Sequence, residues 1–445
     1  MLRSPLDQPS QRPRLRRVLA AATAAAVSLA LAACGGDSGS DEPGGPVELT
    51  VWVAREQYMP TQQWTDSFKA KYPNITVKAE LQADDALFAQ MQRMLQARQP
   101  LPDLVQVDSF WAAPMFDTGI AQDMTPLVDR WKQEAPDLFA KQADAMFYRY
   151  QDKVVGLGTT GTADVLYYRA DWLKEAGFTP PLKSWDEVLQ ALRAIKAKHP
   201  GIVPWSMIGT RGEGVNYLIT QMMASGVQFD AATPRLTSDA GKYVINFYQT
   251  MVREGLTTKE ALAWGENESR GAWIGGRAAM TLDGVRSSND LGDAIQEGLK
   301  ITQPDGWSMM VPPLATTAGG AEVGKHVTAT RTFHVTSTTK HAYEASLVLR
   351  HMVETDQALD AAKSGAIYLQ KDVLQAPEFR QAYKYLSDAE VDAFANGAAF
   401  PSSSKFFAVV EVLERMVQDI LNNPGTPTDE LAQKWQKELD ALGDK

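Results

Sequence analysis

The chain is nearly without cysteine, with one residue, Cys34, among 445. A single thiol excludes an internal disulfide and every cysteine-rich zinc or iron-sulfur site. Histidine is scarce as well: His199, His326, His334, His341 and His351 show no H-E-x-x-H or comparable spacing, so neither a metal nor a cofactor is expected. Basic residues are outnumbered, with 44 Lys and Arg against 54 Asp and Glu. The resulting net charge of −10 argues against nucleic-acid binding, which draws its affinity from clustered cations. No apolar run reaches the roughly 18 residues of a spanning helix. What is present, 44% apolar and 22% charged residues, suffices for packed cores, and the length suggests two or three domains.

The lone cysteine ends an export address. Arg3, Arg12, Arg14, Arg16 and Arg17 face a single Asp7, and the uncharged run 18–33 follows, the layout of a secretory signal peptide. Arg16-Arg17-Val18-Leu19 loosely resembles a twin-arginine signal, and Leu15 stands where such signals prefer Ser or Thr, so both export routes stay open. Leu31-Ala32-Ala33-Cys34 resembles the lipobox of bacterial lipoproteins, which implies cleavage after residue 33, lipid on Cys34 and an extracytoplasmic body held to the membrane. Removing those five Arg and one Asp takes the net charge from −10 to −14. Residues 34–46 have no large apolar side chain before Val47 and read as a tether reaching about 20 Å.

The body alternates strand and helix. Runs at 47–53, 75–81 and 103–107 are β-rich, helical spacing covers 59–72 and 84–98, and longer helices are expected near 186–198, 215–225, 239–254, 341–355, 405–422 and 428–441. This order predicts an α/β fold with a largely parallel sheet. Val154-Val155-Gly156 and Val165 to Tyr168 bracket a Gly/Thr-rich crossing, and Ser184 with Glu187 forms a capping-box pattern.

Three chemical signatures fail on context. Gly156 to Gly161 fits G-x-G-x-x-G, yet β-formers follow where a dinucleotide site needs a helix. Gly319 to Lys325 has phosphate-loop spacing, but His326 replaces the magnesium-binding hydroxyl and a strand pattern follows. Ser337 to Lys340 and Ser402 to Lys405 read S-x-x-K without the companion motifs, so helix N-caps are expected there.

Four segments in order resemble the carbohydrate-binding family of extracellular solute-binding proteins of ABC importers, the family that includes the maltose-binding protein. They are Val51-Trp52 leading to Phe68 through Val77, Leu101 through Trp111, Gly156 through Glu187 with its Tyr168-Arg169-Ala170-Asp171 stretch, and Gly275 through Gly284. The resemblance covers residues 47–445 and implies a two-lobe periplasmic-binding-protein-like fold with a hinge and a central ligand cleft. Carried over by position, one lobe is 47–161 plus 314–364, the other 165–306 plus 370–445, and the crossings are 161–164, 307–313 and 365–371.

Sugars present flat C–H faces and fans of hydroxyls, so their sites combine aromatic platforms with carboxylates and amides. Strand-end loops are where α/β sheets hold ligands. On these grounds Arg55 and Glu56 after the first strand, Asp108 at the end of the third, Thr160 and Asp164 at the first crossing, Asn216, Asp283 and Arg331 are the polar candidates. Helix capping is the rival role for Asp108, Asn216 and Asp283. Trp264 is the expected platform, with Phe406 or Phe407 as a second ring and core packing as the rival; Trp185 and Trp273 are expected to be structural. Arg331 departs from the glycines common in this part of the family and suits an anionic or hydroxylated ligand.

The resemblance implies a monomeric, non-enzymatic, membrane-tethered receptor that captures a carbohydrate by lobe closure and delivers it to ABC permease subunits. Two alternatives stand beside it. One is an exported lipoprotein glycoside hydrolase using Asp108 and Asp283 as acid and base; the other is a receptor for a non-sugar polar solute.

Overall fold

The computed structural model describes residues 45–54, 58–230, 232–401 and 403–443, excluding the side chains of 84–86. The leader, Cys34 and most of the tether lie outside the described residues, as do Arg55 and Glu56. Strands β1 (Val47–Val53), β2 (Ile75–Leu81) and β3 (Leu104–Asp108) are parallel, with β1 in the middle. A hairpin of β4 (Phe147–Tyr150) and β5 (Lys153–Tyr168) follows, turning on Gln151 and Asp152 with φ of 50° and 61°. Positive φ at both central residues is the turn geometry whose twist matches paired strands.

The remaining strands are β6 (Val203–Ser206), the small hairpin of β7 (Phe229–Asp230) and β8 (Thr233–Pro234), β9 (Ala278–Gly284), β10 (Ser308–Met310), β11 (Val327–Val335) and β12 (Ala398–Ala399). The main sheet runs β2-β1-β3-β11-β5-β9-β6, with β4 and β10 also on β5 and β12 on β11. The expected largely parallel sheet is corrected at its centre, because β5 is antiparallel to β4, β9, β10 and β11. The Gly/Thr-rich crossing is itself strand. One 16-residue strand pairs with β11 as far as Ala163 and with β9 from Asp164 onward, so it exchanges partners between those two residues.

Helices cover the sheet through single apolar faces. In Asp239–Arg253, Ser238 caps the start by accepting from the Gly241 amide, and Val244, Ile245, Phe247, Tyr248 and Met251 are buried at helical spacing. Phe406–Asn422 buries Phe406, Val409, Val412, Leu413, Met416, Val417 and Ile420 in the same manner. Each such aliphatic side chain contributes about 1.5–3 kcal/mol when fully buried. Ser184 accepts from the Glu187 amide, but the Glu187 carboxylate turns back to the Lys183 amide rather than to Ser184, so only half of the expected capping box forms.

Two large cores result. Leu166, Trp185, Trp205, Phe247 and most of Phe406–Asn422 share one. The other contains Leu49, Val51 and Leu104, and it continues through Tyr167, Trp273 and Trp307 to Phe379, Tyr383 and Phe394, so packing is continuous across residue 370. The expected N-cap at Ser337 does not form. Its hydroxyl donates to the Gly119 carbonyl, and Ala342–Met352 begins after His341 with no side-chain cap. Ser402 lies outside the described residues, while Ser403 accepts from the Lys405 amide.

Candidate functional site

The C-terminal ends of parallel strands open into one cleft with about 860 Å³ of open space. Tyr58 follows β1, Asp108, Ser109 and Phe110 end or follow β3, and Asp283 to Ser287 end or follow β9. The floor is the part of β5 where partners change, Gly161, Thr162 and Asp164, beside Ala329, Thr330 and Arg331 of β11. Close approach fixes the floor's glycine: a Cβ on Gly161 would lie 2.7 Å from the Ala329 carbonyl oxygen, an encounter with backbone that cannot give way.

Register sets a polar row across three strands. Asp108 pairs with Arg331 and Arg331 with Thr160, so the three side chains share one face. Arg331 Nη2 donates to Asp108 Oδ2 at 3.1 Å, and its guanidinium lies 5.8 Å from the Tyr58 ring centroid. Thr160 is walled in behind the row, its hydroxyl buried with no partner among the described residues. A bulge between Arg331 and Thr332 interrupts the ladder at this point. Bulges re-aim side chains at sites of this kind.

The opposite wall is an ionic network on Glu266–Ile274. Arg270 donates from Nε and Nη2 to Asp283 at 2.6 and 2.9 Å and from Nη2 to Ser287 Oγ at 3.2 Å, and its Nη2 forms an ion pair with Glu266 Oε2 at 2.9 Å. Tyr217 donates to Glu266 at 3.0 Å. Asp283 also accepts from the Gly284 amide at 2.7 Å. Burial raises the Asp283 carboxyl from its usual value, while the Arg270 bonds and charge pull it down. Asp164 accepts from Thr220 Oγ1 at 2.6 Å. Burial, opposed by that bond and reinforced by Asp283 and Glu266, pushes Asp164 up to about 7.

Of the residues singled out in the sequence, Asp108, Asp164, Asn216, Asp283 and Arg331 line the cleft. Neither Asp108 nor Asn216 caps a helix: the turn after Asp108 has no side-chain cap bond, and Gly214–Ala224 starts after Glu213. Trp264 is placed off the wall, packed on the core that contains Leu49 and Trp273, with its carbonyl accepting from the Gly209 and Thr210 amides. Phe406 is 2% exposed and stacks behind Phe110 at 5.1 Å, so it supports a cleft ring instead of being one. Sequence reasoning missed Tyr58, Phe110, Tyr217, Glu266, Arg270, Arg286 and Phe400. The Glu266 and Arg270 pair carried a usable signal, an i,i+4 ion pair immediately before the β9 segment.

Strand ends from two halves of a sheet, sharing one strand beneath a polar and aromatic cleft, define a two-lobe ligand-binding protein. The chain belongs to the family of bacterial extracellular solute-binding proteins, whose family model matches residues 54–358. The "Probable ABC transporter-binding protein" of Deinococcus radiodurans is 25% identical over 301 residues, 62% of this chain and 66% of that protein. Among solved structures, the sugar-binding protein MalE from Xanthomonas citri is similar with a TM-score of 0.74 at 18% identity, over 89% of this chain and 97% of that one. The cyclic alpha-maltosyl-1,6-maltose binding protein from Arthrobacter globiformis gives 0.72 at 16% identity, over 89% and 99%. The matched stretch thus spans just under two thirds of the Deinococcus relative. Among the described residues no helix is long and apolar enough to cross a membrane.

Proposed function

We propose that the protein is a lipid-anchored extracellular receptor that captures a carbohydrate between two lobes and delivers it to the permease subunits of an ABC importer. The observation that carries this reading is the partner exchange of β5 between Ala163 and Asp164, directly beneath the cleft. A strand continuous through both halves bends with little disruption of its hydrogen bonds, which suits hinge closure. The lobes are then 47–161 with 314–364 and 165–306 with 370–445. The other two crossings also meet β5: β10 pairs Ser308 to Met310 with Tyr168 to Leu166, and the Gly161 amide and Thr159 carbonyl bond Ile367 and Leu369.

Carbohydrate is favoured by the lining. Phe110, Phe400, Tyr58 and Tyr217 offer ring faces, and Asp108, Asp164, Asn216 and Arg331 offer hydroxyl partners. The sugar-binding proteins of similar fold support the same class. A hydrolase pairing Asp108 with Asp283 is disfavoured, because both Asp283 oxygens are engaged by Arg270 and that carboxylate is not free for proton transfer. The test is a melting-temperature screen of the purified protein against sugars, polyols and amino acids, with product analysis of each hit. A sugar that raises the melting temperature and is recovered intact supports the reading; shortened sugars or a response only to amino acids overturn it. Release of a Cys34→Ser variant from the membrane fraction tests the anchor.

A further inference from the structure

Three arginines line the cleft, and two of them are matched. Arg270 is bonded to Asp283 and Glu266, and Arg331 to Asp108. Arg286 is different: among the described residues its guanidinium has no hydrogen bond or ion pair, although it lines the same cleft and is only partly exposed. Its position adds to the imbalance. The turn Val285–Ser287 runs straight into the helix Ser288–Leu299, so Arg286 sits in the first turn of a helical run that begins at the cleft floor. A helix start carries partial positive charge and favours anions, so a cation there is opposed until an anion joins it. In the same turn the Ser288 hydroxyl is fully buried with no partner among the described residues. Asp164, the cleft acid without a basic partner, is held by the Thr220 hydroxyl and does not pair with Arg286.

We propose that the cleft takes a sugar bearing a carboxylate, such as a uronic acid or an oligosaccharide of one, with that carboxylate on Arg286 and its hydroxyls on the Asp108, Arg331 and Asp164 side. Closure over a neutral sugar leaves an unmatched guanidinium desolvated at a helix start, whereas closure over an acidic one forms a charge-assisted, bidentate pair. This inference rests on the carbohydrate reading above.

The experiment is calorimetric titration of the protein with matched acidic and neutral sugars, galacturonate against galactose and glucuronate against glucose, each as monomer and short oligomer, with succinate as a non-sugar anion. At least one acidic member should bind about tenfold or more tightly than its neutral counterpart, and should weaken with added salt while the neutral one does not. In Arg286→Met the acidic-to-neutral ratio should collapse toward one, and Arg286→Lys should retain part of it. Neutral sugars binding as tightly as acidic ones, or a preference that survives in Arg286→Met, overturns the proposal and leaves the carbohydrate reading intact. Binding of succinate with no sugar of either kind overturns both. Should Arg286→Met fail to fold, the wild-type ratio and its salt dependence decide the matter alone.

Discussion

The rings of Trp111 and Phe407 meet with centroids 3.8 Å apart and planes inclined at 42°. Trp111 packs on the cluster of Trp52, Leu87 and Met91, whereas Phe407 packs on the core of Trp185 and Phe247. Next to them Phe110 stacks on Phe406 and touches Phe400 at 6.3 Å. Aromatic side chains from the loop after β3 and from the start of Phe406–Asn422 therefore interlock beside the cleft, and such a contact favours whichever arrangement keeps the two cores together. Removing one ring should shift the protein toward an open form. Aromatic pairs contribute about 0.5–1.5 kcal/mol beyond area burial, so Trp111→Ala should weaken ligand binding by about 3- to 10-fold and enlarge the ligand-free radius of gyration in small-angle scattering. Unchanged scattering and affinity would count against a clasp.

Asp108 and Arg331 make the second test. Arg331 is 5% exposed, so taking away the Asp108 carboxylate strips a nearly buried cation of one acceptor. Asp108→Ala should reduce affinity for the ligand by about 1.5–3 kcal/mol, the usual loss for a charged hydrogen bond. It should also lower the melting temperature by several degrees, since breaking such pairs is destabilising. Titration and thermal unfolding of the same preparation separate the two effects, and affinity retained within about twofold would remove Asp108 from the site.

How much was legible depends on whether the cause is local. Apolar spacing alone delimits Trp185–Lys198 and Phe406–Asn422 to within a residue or two, because one buried face dictates the periodicity. The direction of β5 was not legible. It is set by the turn at Gln151 and Asp152, which lacks the Asn-Gly or Asp-Gly pattern that usually marks this geometry. The glycines of the G-x-G-x-x-G match have a non-local reason too: Cβ atoms on Gly156, Gly158 and Gly161 would meet His334, Thr330 and Ala329 of β11 at 2.6, 2.9 and 2.7 Å. They mark close strand packing and no phosphate. In the cleft, acids at strand ends were readable because strand ends are identifiable, whereas helix rotation decides whether Phe406 or Phe110 faces the cleft, and nothing beside Arg286 in the chain announces an unmatched cation.

Asp164 predicts a pH effect of definite sign. Burial, helped by Asp283 and Glu266 and opposed by the Thr220 bond, raises it from 3.8 to about 7, so the native state holds this proton more tightly than the unfolded chain. Its stabilising contribution is complete below about pH 4 and is lost as the pH rises to about 7. A shift of this size corresponds to at most about 4 kcal/mol, less whatever cleft water screens. Asp164→Asn cannot lose the proton, so the stability of the variant relative to wild type should rise steadily from pH 4 to pH 8 in denaturant titrations. A difference that is flat with pH would mean that Asp164 is ionised in the native state throughout.

His334 predicts the opposite slope over nearly the same range, which is why the unfolding curve of the wild type alone hides both. The ring is fully buried, with Nδ1 2.6 Å from the Val155 carbonyl and Nε2 2.8 Å from Thr332 Oγ1. A carbonyl accepts only, so Nδ1 carries the hydrogen and Nε2 accepts from the threonine hydroxyl, the neutral tautomer. Burial pushes His334 down to about 4, against the opposing pull of the Val155 bond, and the native state resists the proton that the unfolded histidine takes up near 6.5. Stability from this group is present above about pH 6.5 and lost as the pH falls to about 4, up to about 3 kcal/mol. His334→Gln keeps an amide donor for Val155 and has nothing to titrate, so it should cost stability at pH 7 and lose that disadvantage progressively toward pH 4. Gly156→Ala should act on the same ring, because its methyl would press on His334 Cε1, and the cost of about 1–3 kcal/mol should shrink in the double variant with His334→Gln. Additive costs in that cycle would show that the glycine is required for some reason other than the imidazole packed against it.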